Sequence, residues 1–334
     1  MDSSWAHSLG VALAGPRAPR RATDWARAAE EAGLGSLWLI EDYFHPGAFT
    51  LAGAAAAVTG RIAIGLGVAN PYTRHPALLA MEAAALGGAA PGRAVLGLGT
   101  SNRRWIEDQM GIDFKAPLAG LAESVSIVRR LLRGERVTAH GARFHLDGVQ
   151  LEWAPPEEMP IVLGVKGPRA LRLAGEIADG VICSVLASPA HVRRVRRTAG
   201  AGRRDFAVVA YAVLAIDDDG ARARAQVRPL LAAYLGALHG QSILADADLG
   251  PDRTRPFREA MLRGEDAAGL VTDAIVETLA VAGTPAECRR QLARWAEAGL
   301  DAPIAVVPGG LDLATQIARI GRELGPAWRE MRWP

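Results

Sequence analysis

The sequence predicts an α/β protein: a closed (β/α)8 TIM-type barrel with insertions, built as one domain over residues 1–334. Three observations lead there. Short runs that are apolar at every position recur along the chain, the mark of parallel strands buried on both faces. Amphipathic helices separate these runs. The chain also repeats one joint, in which a helix gives way to a glycine and then to an apolar strand. It occurs in ARAAEEAGLGSLWL (26–39), LRLAGEIADGVICS (171–184) and LARWAEAGLDAPIAVV (292–307), the first and third sharing EAGL. Glycine past the last helical turn supplies the left-handed cap. Eight such units need about 250 residues, and a chain of 334 leaves room for insertions. An open doubly wound sheet is the alternative arrangement of the same units. No linker interrupts the middle of the chain, which favours one domain over two.

Taken in order, the strands are expected near 8–14, 36–40, 62–68, 94–98, 161–165, 180–184, 207–215 and 304–307. Helices fall between them, among them 76–88, 119–133, 188–199, 219–238 and 285–298. Residues 101–118 and 134–160 exceed the needs of a barrel, and FHLDGVQLEW within the second reads as a small hairpin. Residues 240–275 are polar and broken by glycine and proline, and are expected to form a lid over the barrel mouth.

Composition narrows the function classes. Half the residues are apolar and the formal net charge is +2, with no basic block interleaved with aromatics, which argues against nucleic acid as a partner. Only Lys115 and Lys166 are lysines among 38 cationic side chains. Cys183 and Cys288 are the only cysteines, too few for a disulfide framework or a cysteine metal site, so a cytoplasmic location is expected. No signal segment and no run long enough to span a membrane is read, and no His/Asp/Glu set has metal-ligand spacing.

In such a barrel the chemistry lies at the C-terminal strand ends. The third strand ends in GLGVANPYTRHP and the fourth in GLGTSNRR. Gly65 and Gly67, like Gly97 and Gly99, are two apart and point the same way. Such glycines serve close interior packing, or they leave flat backbone against which a planar ring can lie. Neither pair continues as a dinucleotide fingerprint. After the fifth strand, GVKGPRALRLAGE turns into a helix that opens with Pro168, where proline is favoured. That turn reads either as an ordinary capped helix or as an anion site, made from free N–H groups and the helix dipole with Lys166 and Arg169 beside them. Glu41 and Asp42 close the second strand side by side and so point to opposite sides, one of them toward the mouth, where it can hold a hydrogen bond or move a proton. A carboxylate capping a surface turn is the plainer reading, and His45 and His75 on the same rim read first as hydrogen-bonding residues.

GLGVANPYTRHPALLAMEAAAL, GRAVLGLGTSN…MGIDFKAP, GPRALRLAGEIADGVI and AGTPAECRRQLARWAEAGLD together resemble the bacterial-luciferase-like oxidoreductases, in particular the branch containing the deazaflavin-dependent methylenetetrahydromethanopterin reductases. The resemblance covers nearly the whole chain, and NPYTRHP is its most specific piece. It implies a barrel that binds coenzyme F420 or FMN at the strand ends. The third-strand site would map to Gly65, Gly67, Val68 and Ala69, with a non-prolyl cis peptide at Gly67–Val68 behind the ring. The fourth-strand site would map to Gly97, Gly99 and Thr100, and the phosphate site to Val165, Lys166, Gly167 and Pro168. The family's acid–histidine pair after strand two maps onto Glu41 and Asp42, so an aspartate stands where a histidine is usual. The resemblance also implies a homodimer formed through barrel helices.

The reading is therefore an oxidoreductase that passes a hydride between F420 and a small organic substrate, with Glu41 or Asp42 as the catalytic carboxylate. Arg103, Arg104, Lys166 and Arg169 are available to the acidic tail of F420. The rivals are an FMN-dependent monooxygenase, a phosphate-binding barrel isomerase or aldolase, and a non-catalytic flavin-binding barrel.

Overall fold

The computed structural model describes residues 4–13 and 19–332. Its strands are β1 (Gly10–Leu13), β2 (Ser36–Leu39), β3 (Ala63–Ala69), β4 (Ala94–Gly99), β5 (Val137–His140), β6 (His145–Val149), β7 (Ile161–Gly164), β8 (Gly180–Cys183), β9 (Ala207–Ile216), β10 (Ala280–Gly283) and β11 (Ala302–Val306). Its helices are α1 (Ala22–Glu31), α2 (Ala48–Ala57), α3 (Pro76–Ala89), α4 (Pro117–Leu132), α5 (Pro168–Ile177), α6 (Pro189–Thr198), α7 (Gly220–Ala237), α8 (Ser242–Ala245), α9 (Pro251–Arg263), α10 (Asp273–Leu279), α11 (Pro285–Glu297) and α12 (Leu313–Arg332).

Parallel pairing runs β11-β1-β2-β3-β4-β7-β8-β9 and returns from β9 to β11, which closes an eight-stranded barrel. All eight expected strands are present; Ala14, the last residue expected in the first, lies outside the described residues. The expected joint is also present in two of its three copies. Gly33 and Gly299 have φ of 73° and 90°, the left-handed conformation that ends α1 and α11 before β2 and β11. In the third copy the helix ends at Ala178 in extended conformation, and Gly180 is the first strand residue. Six helices, α3, α4, α5, α6, α9 and α11, open with proline at their first positions.

Two expectations are corrected. The sequence shows no strand at 280–283, yet β10 pairs with the far end of β9, Ala280↔Val213 to Gly283↔Ile216. AVAG is too short to be read alone; it becomes a strand because β9 runs ten residues and overshoots its other neighbours. Residues 240–275, expected as a lid, contain α8, α9 and the start of α10, and α9 packs against α7. Pro251 opens α9 at its first position, where proline is favoured, and Pro256 lies inside the helix. The hairpin expected within FHLDGVQLEW is displaced: that stretch supplies only β6, which pairs antiparallel with β5 across a turn at 141–144.

Carboxylates seal the N-terminal end of the barrel. Asp179, just before β8, accepts from the Ile161 backbone N–H at 2.8 Å and from Arg129 at 3.0 Å. Asp301, just before β11, accepts from the Val208 N–H at 2.7 Å and pairs with Arg196, which also donates to the Gly299 and Phe206 carbonyls. Asp301 is buried, so removing it strands the Val208 N–H and leaves Arg196 without its counter-charge. Asp301→Ala is expected to lose about 2–4 kcal/mol of stability. Thermal unfolding checks this, and an unchanged midpoint would refute the role of this seam.

Candidate functional site

The C-terminal mouth is built on a defect in the ladder between β3 and β4. The register runs Leu66↔Leu96 and then Ala69↔Leu98, so β3 carries one extra residue there. The cis peptide Gly67–Val68 lies within this bulge, at the position the resemblance implies. Val68 is also the one residue of β3 that is not fully buried.

The glycines have a specific reason. A Cβ on Gly65 would lie 2.5 Å from the Trp38 ring, so this glycine makes room for an indole that fills the barrel interior. A Cβ on Gly67 would overlap the Tyr211 hydroxyl, which donates to the Gly67 carbonyl at 2.9 Å. A Cβ on Gly97 or Gly99 would come within 2.9 or 2.8 Å of the Val68 methyls, and one on Gly164 within 3.1 Å. Two strands, β4 and β7, therefore give up side chains beside Val68, and Gly97 also lies against the Leu66 carbonyl. The flat backbone inferred from Gly65, Gly97 and Gly99 is covered by Trp38 and by Val68; the surface at the mouth is Val68 itself. Thr100 donates weakly to the Ser101 carbonyl at 3.3 Å, and Ser101 takes a left-handed φ of 59° with its hydroxyl buried and without a protein partner.

Just after β2 the adjacent carboxylates Glu41 and Asp42 have different partners. Glu41 pairs through Oε1 with Arg74, whose guanidinium lies over the Phe49 ring, while its buried Oε2 has no protein partner. Asp42 lies close enough to Tyr211 and Tyr234 to act on both phenols. Burial pushes the Asp42 carboxyl above the ordinary range, against the pull of His45. Burial, with Asp42 adding to it, raises Tyr211 well above an ordinary phenol and Tyr234 to about 12. Tyr43 bonds Thr73 at 3.1 Å and meets the Trp105 ring edge-on, and Asn70 Oδ1 accepts from the Tyr72 and Thr73 N–H groups. These contacts tie the rim after β2 to NPYTRHP.

After β7, Val165 is buried and Gly167 is extended at φ −77°, ψ 156°. No side chain caps α5, so its first N–H groups are free for an anion. Lys166, whose amine burial lowers, donates to Gln241 at 3.0 Å. Asp246 accepts from His191 Nδ1 at 2.7 Å and pairs with Arg194 at 2.9 Å, and Arg194 reaches the Lys166 carbonyl at 3.2 Å. Residues 241–246 are thus the part of the insertion that reaches the mouth. Arg103, in contrast, is engaged by Glu107, and Arg169 is exposed.

The luciferase-like monooxygenase family profile matches residues 3–302. The chain belongs to that family. It is similar to the 5,10-methylenetetrahydromethanopterin reductases of Archaeoglobus fulgidus, with 30% identity over 314 residues, and of Methanolobus tindarius, with 29% over 309. Each alignment covers 90% of this chain and 94% of the relative. The barrel also superposes on the coenzyme F420 dependent tetrahydromethanopterin reductase of Methanopyrus kandleri with a TM-score of 0.86, at 24% identity, covering 96% of this chain and 99% of that one.

The fold of this luciferase-like chain brings Gly67, Val68, Gly97, Gly99 and the strand that leads into Val165–Pro168 to one place, through Gly164. It places Ala69 behind them as a buried residue. Sequence reasoning missed Trp38, Ser101, Tyr211, His191 and Asp246. A tyrosine inside the aliphatic run AVVAYAVLAI was a usable signal, because a buried hydroxyl needs a partner. Nothing in the sequence marked the pairing of His191 with Asp246, which are 55 residues apart. Among the described residues, no group of three or more His, Cys, Asp or Glu could hold a metal ion, and no helix is long and apolar enough to cross a membrane.

Proposed function

We propose that this luciferase-like oxidoreductase passes a hydride between coenzyme F420 and a small organic substrate at the barrel mouth. The observation that carries the reading is the Val68 bulge, seated in three glycines, beside the uncapped start of α5 with Lys166. The relatives named as methylenetetrahydromethanopterin reductases, aligned over 94% of their length, support the same reading.

The site fits a deazaflavin. Val68 offers an apolar wall to a planar ring. The unpartnered Glu41 Oε2 and Ser101 hydroxyl offer polar contacts. The α5 N–H groups, with Lys166 and Gly167, offer an anion cradle. When bound, F420 supplies the hydride from a ring that has carbon in place of the flavin N5, so its reduced form resists oxygen. The chain supplies orientation: Val68 sets the ring, the α5 start sets the phosphate, Glu41 held by Arg74 orients a donor, and Asp42 holds or moves a proton. Residues 241–246, anchored through Lys166, His191 and Arg194, keep water from the anion end.

Titrating the purified chain with F420 and with FMN, followed by fluorescence and absorbance, tests the reading. F420 is expected to bind at micromolar levels or tighter, and FMN weakly. Tight FMN binding without F420 binding would place the chain among the oxygenases instead.

The same reading includes a cytoplasmic homodimer. Its supports are two free, buried cysteines and the exposed Leu78 and Met81, one turn apart on α3. Sedimentation velocity is expected to give a dimer that Leu78→Glu/Met81→Glu dissociates; a wild-type monomer at working concentration would refute it.

A further inference from the structure

We propose that Tyr211 is a positioning residue: its hydroxyl, reaching across the barrel, holds the Gly67 carbonyl and thereby fixes the wall that Val68 presents to the cofactor ring. The inference rests on the reading that the mouth binds such a ring, and adds a residue from the opposite side of the barrel to it.

Topology forces the contact through the interior. β9 and β3 are separated by β4, β7 and β8 one way round the barrel, and by β11, β1 and β2 the other way. A bond between Tyr211 on β9 and Gly67 on β3 therefore spans the lumen. Tyr211 is 6% exposed and the only residue with a polar side chain in its ten-residue strand.

The Gly67 carbonyl needs this donor. Gly67 and Val68 fall in the register break between β3 and β4, where neither has a partner across the ladder. A buried carbonyl left there without a bond would carry its full desolvation cost. Gly67 has no Cβ, and a Cβ would stand where the hydroxyl stands. The next residue, Val68, is gripped by the hollows at Gly97, Gly99 and Gly164, so rotating the Gly67 carbonyl would lever Val68 out of its seat. Burial, with Asp42 nearby, keeps the phenol protonated and hence a donor.

The test compares wild type, Tyr211→Phe, Gly67→Ala and Gly67→Ala/Tyr211→Phe, all as full-length chains. The readouts are F420 affinity, the absorption spectrum of bound F420 and thermal unfolding. Tyr211→Phe is expected to fold, to bind F420 about tenfold more weakly and to alter the bound spectrum. Gly67→Ala places a methyl on the hydroxyl and is expected to weaken binding more. Removing the hydroxyl then restores part of the loss, so the double variant binds more tightly than Gly67→Ala alone. Wild-type affinity and spectrum in Tyr211→Phe would overturn the proposal, and so would simple additivity in the double variant. Should Gly67→Ala not fold, Tyr211→Phe alone decides. A wild-type chain that binds FMN and not F420 refutes the F420 reading while leaving Tyr211 testable with FMN. A chain that binds neither ring refutes both.

Discussion

Gly67→Val is expected to raise the dissociation constant for F420 at least about a hundredfold, a difference near 2.7 kcal/mol, in a chain that still folds. The first valine carbon would overlap the Tyr211 hydroxyl and lie 3.1 Å from Trp38 Cε3. Either Tyr211 gives up the Gly67 carbonyl or the bulge moves, and both displace Val68 from the hollows of Gly97, Gly99 and Gly164. Overpacking of this kind typically costs about 1–3 kcal/mol, within reach of a large barrel's stability. The wall is more sensitive than the fold, because ring contact depends on Val68 to a fraction of an ångström. Gly53→Ala is the control, since that glycine on α2 has nothing within 4 Å of a new Cβ. Equilibrium titration with circular dichroism of each variant reads the outcome. Unchanged affinity in Gly67→Val would remove β3 from the pocket.

Asp42→Asn is expected to slow hydride transfer by about two to four orders of magnitude, the usual range for losing a proton-transfer group. Of the two carboxylates after β2, Glu41 is engaged by Arg74, whereas Asp42 acts on the phenols of Tyr211 and Tyr234. The same substitution carries a stability signature. Burial raises the folded Asp42 pKa above the unfolded value, so the folded state holds the proton more tightly. That contribution is complete below the ordinary carboxylate range near pH 4 and is lost as pH rises through the folded value. At neutral pH the charged, half-buried carboxylate opposes folding, and Asp42→Asn is therefore more stable than wild type. The gap closes toward pH 4 as Asp42 takes up its proton. Rate and thermal midpoint measured across pH check both halves; a variant equal to wild type in rate would move the proton role elsewhere.

Much of the barrel was legible because its signals are local. Continuous apolar runs mark buried parallel strands, Gly33 and Gly299 mark helix ends, and prolines mark helix starts such as Pro168 and Pro285. β10 was not legible, because four residues of AVAG form a strand only where β9 extends past its neighbours. The helices of 240–275 were hidden by their glycines and prolines, Pro251 at the first position of α9 and Pro256 inside it.

The site divides in the same way. Sequence alone placed the glycine pairs and the turn at Lys166, since each depends on spacing along one strand or one turn, and the family resemblance placed the cis bond at Gly67–Val68. Only the tertiary structure decided what those features meet. Gly65 faces Trp38, Gly67 faces Tyr211, and Gly97 and Gly99 seat Val68. Lys166 meets Gln241 from 75 residues away, and Glu41 meets Arg74 from 33. The physical reason is that a strand's period fixes which way a side chain points, whereas barrel closure fixes what stands opposite it, and closure brings together residues that carry no mark of each other in sequence.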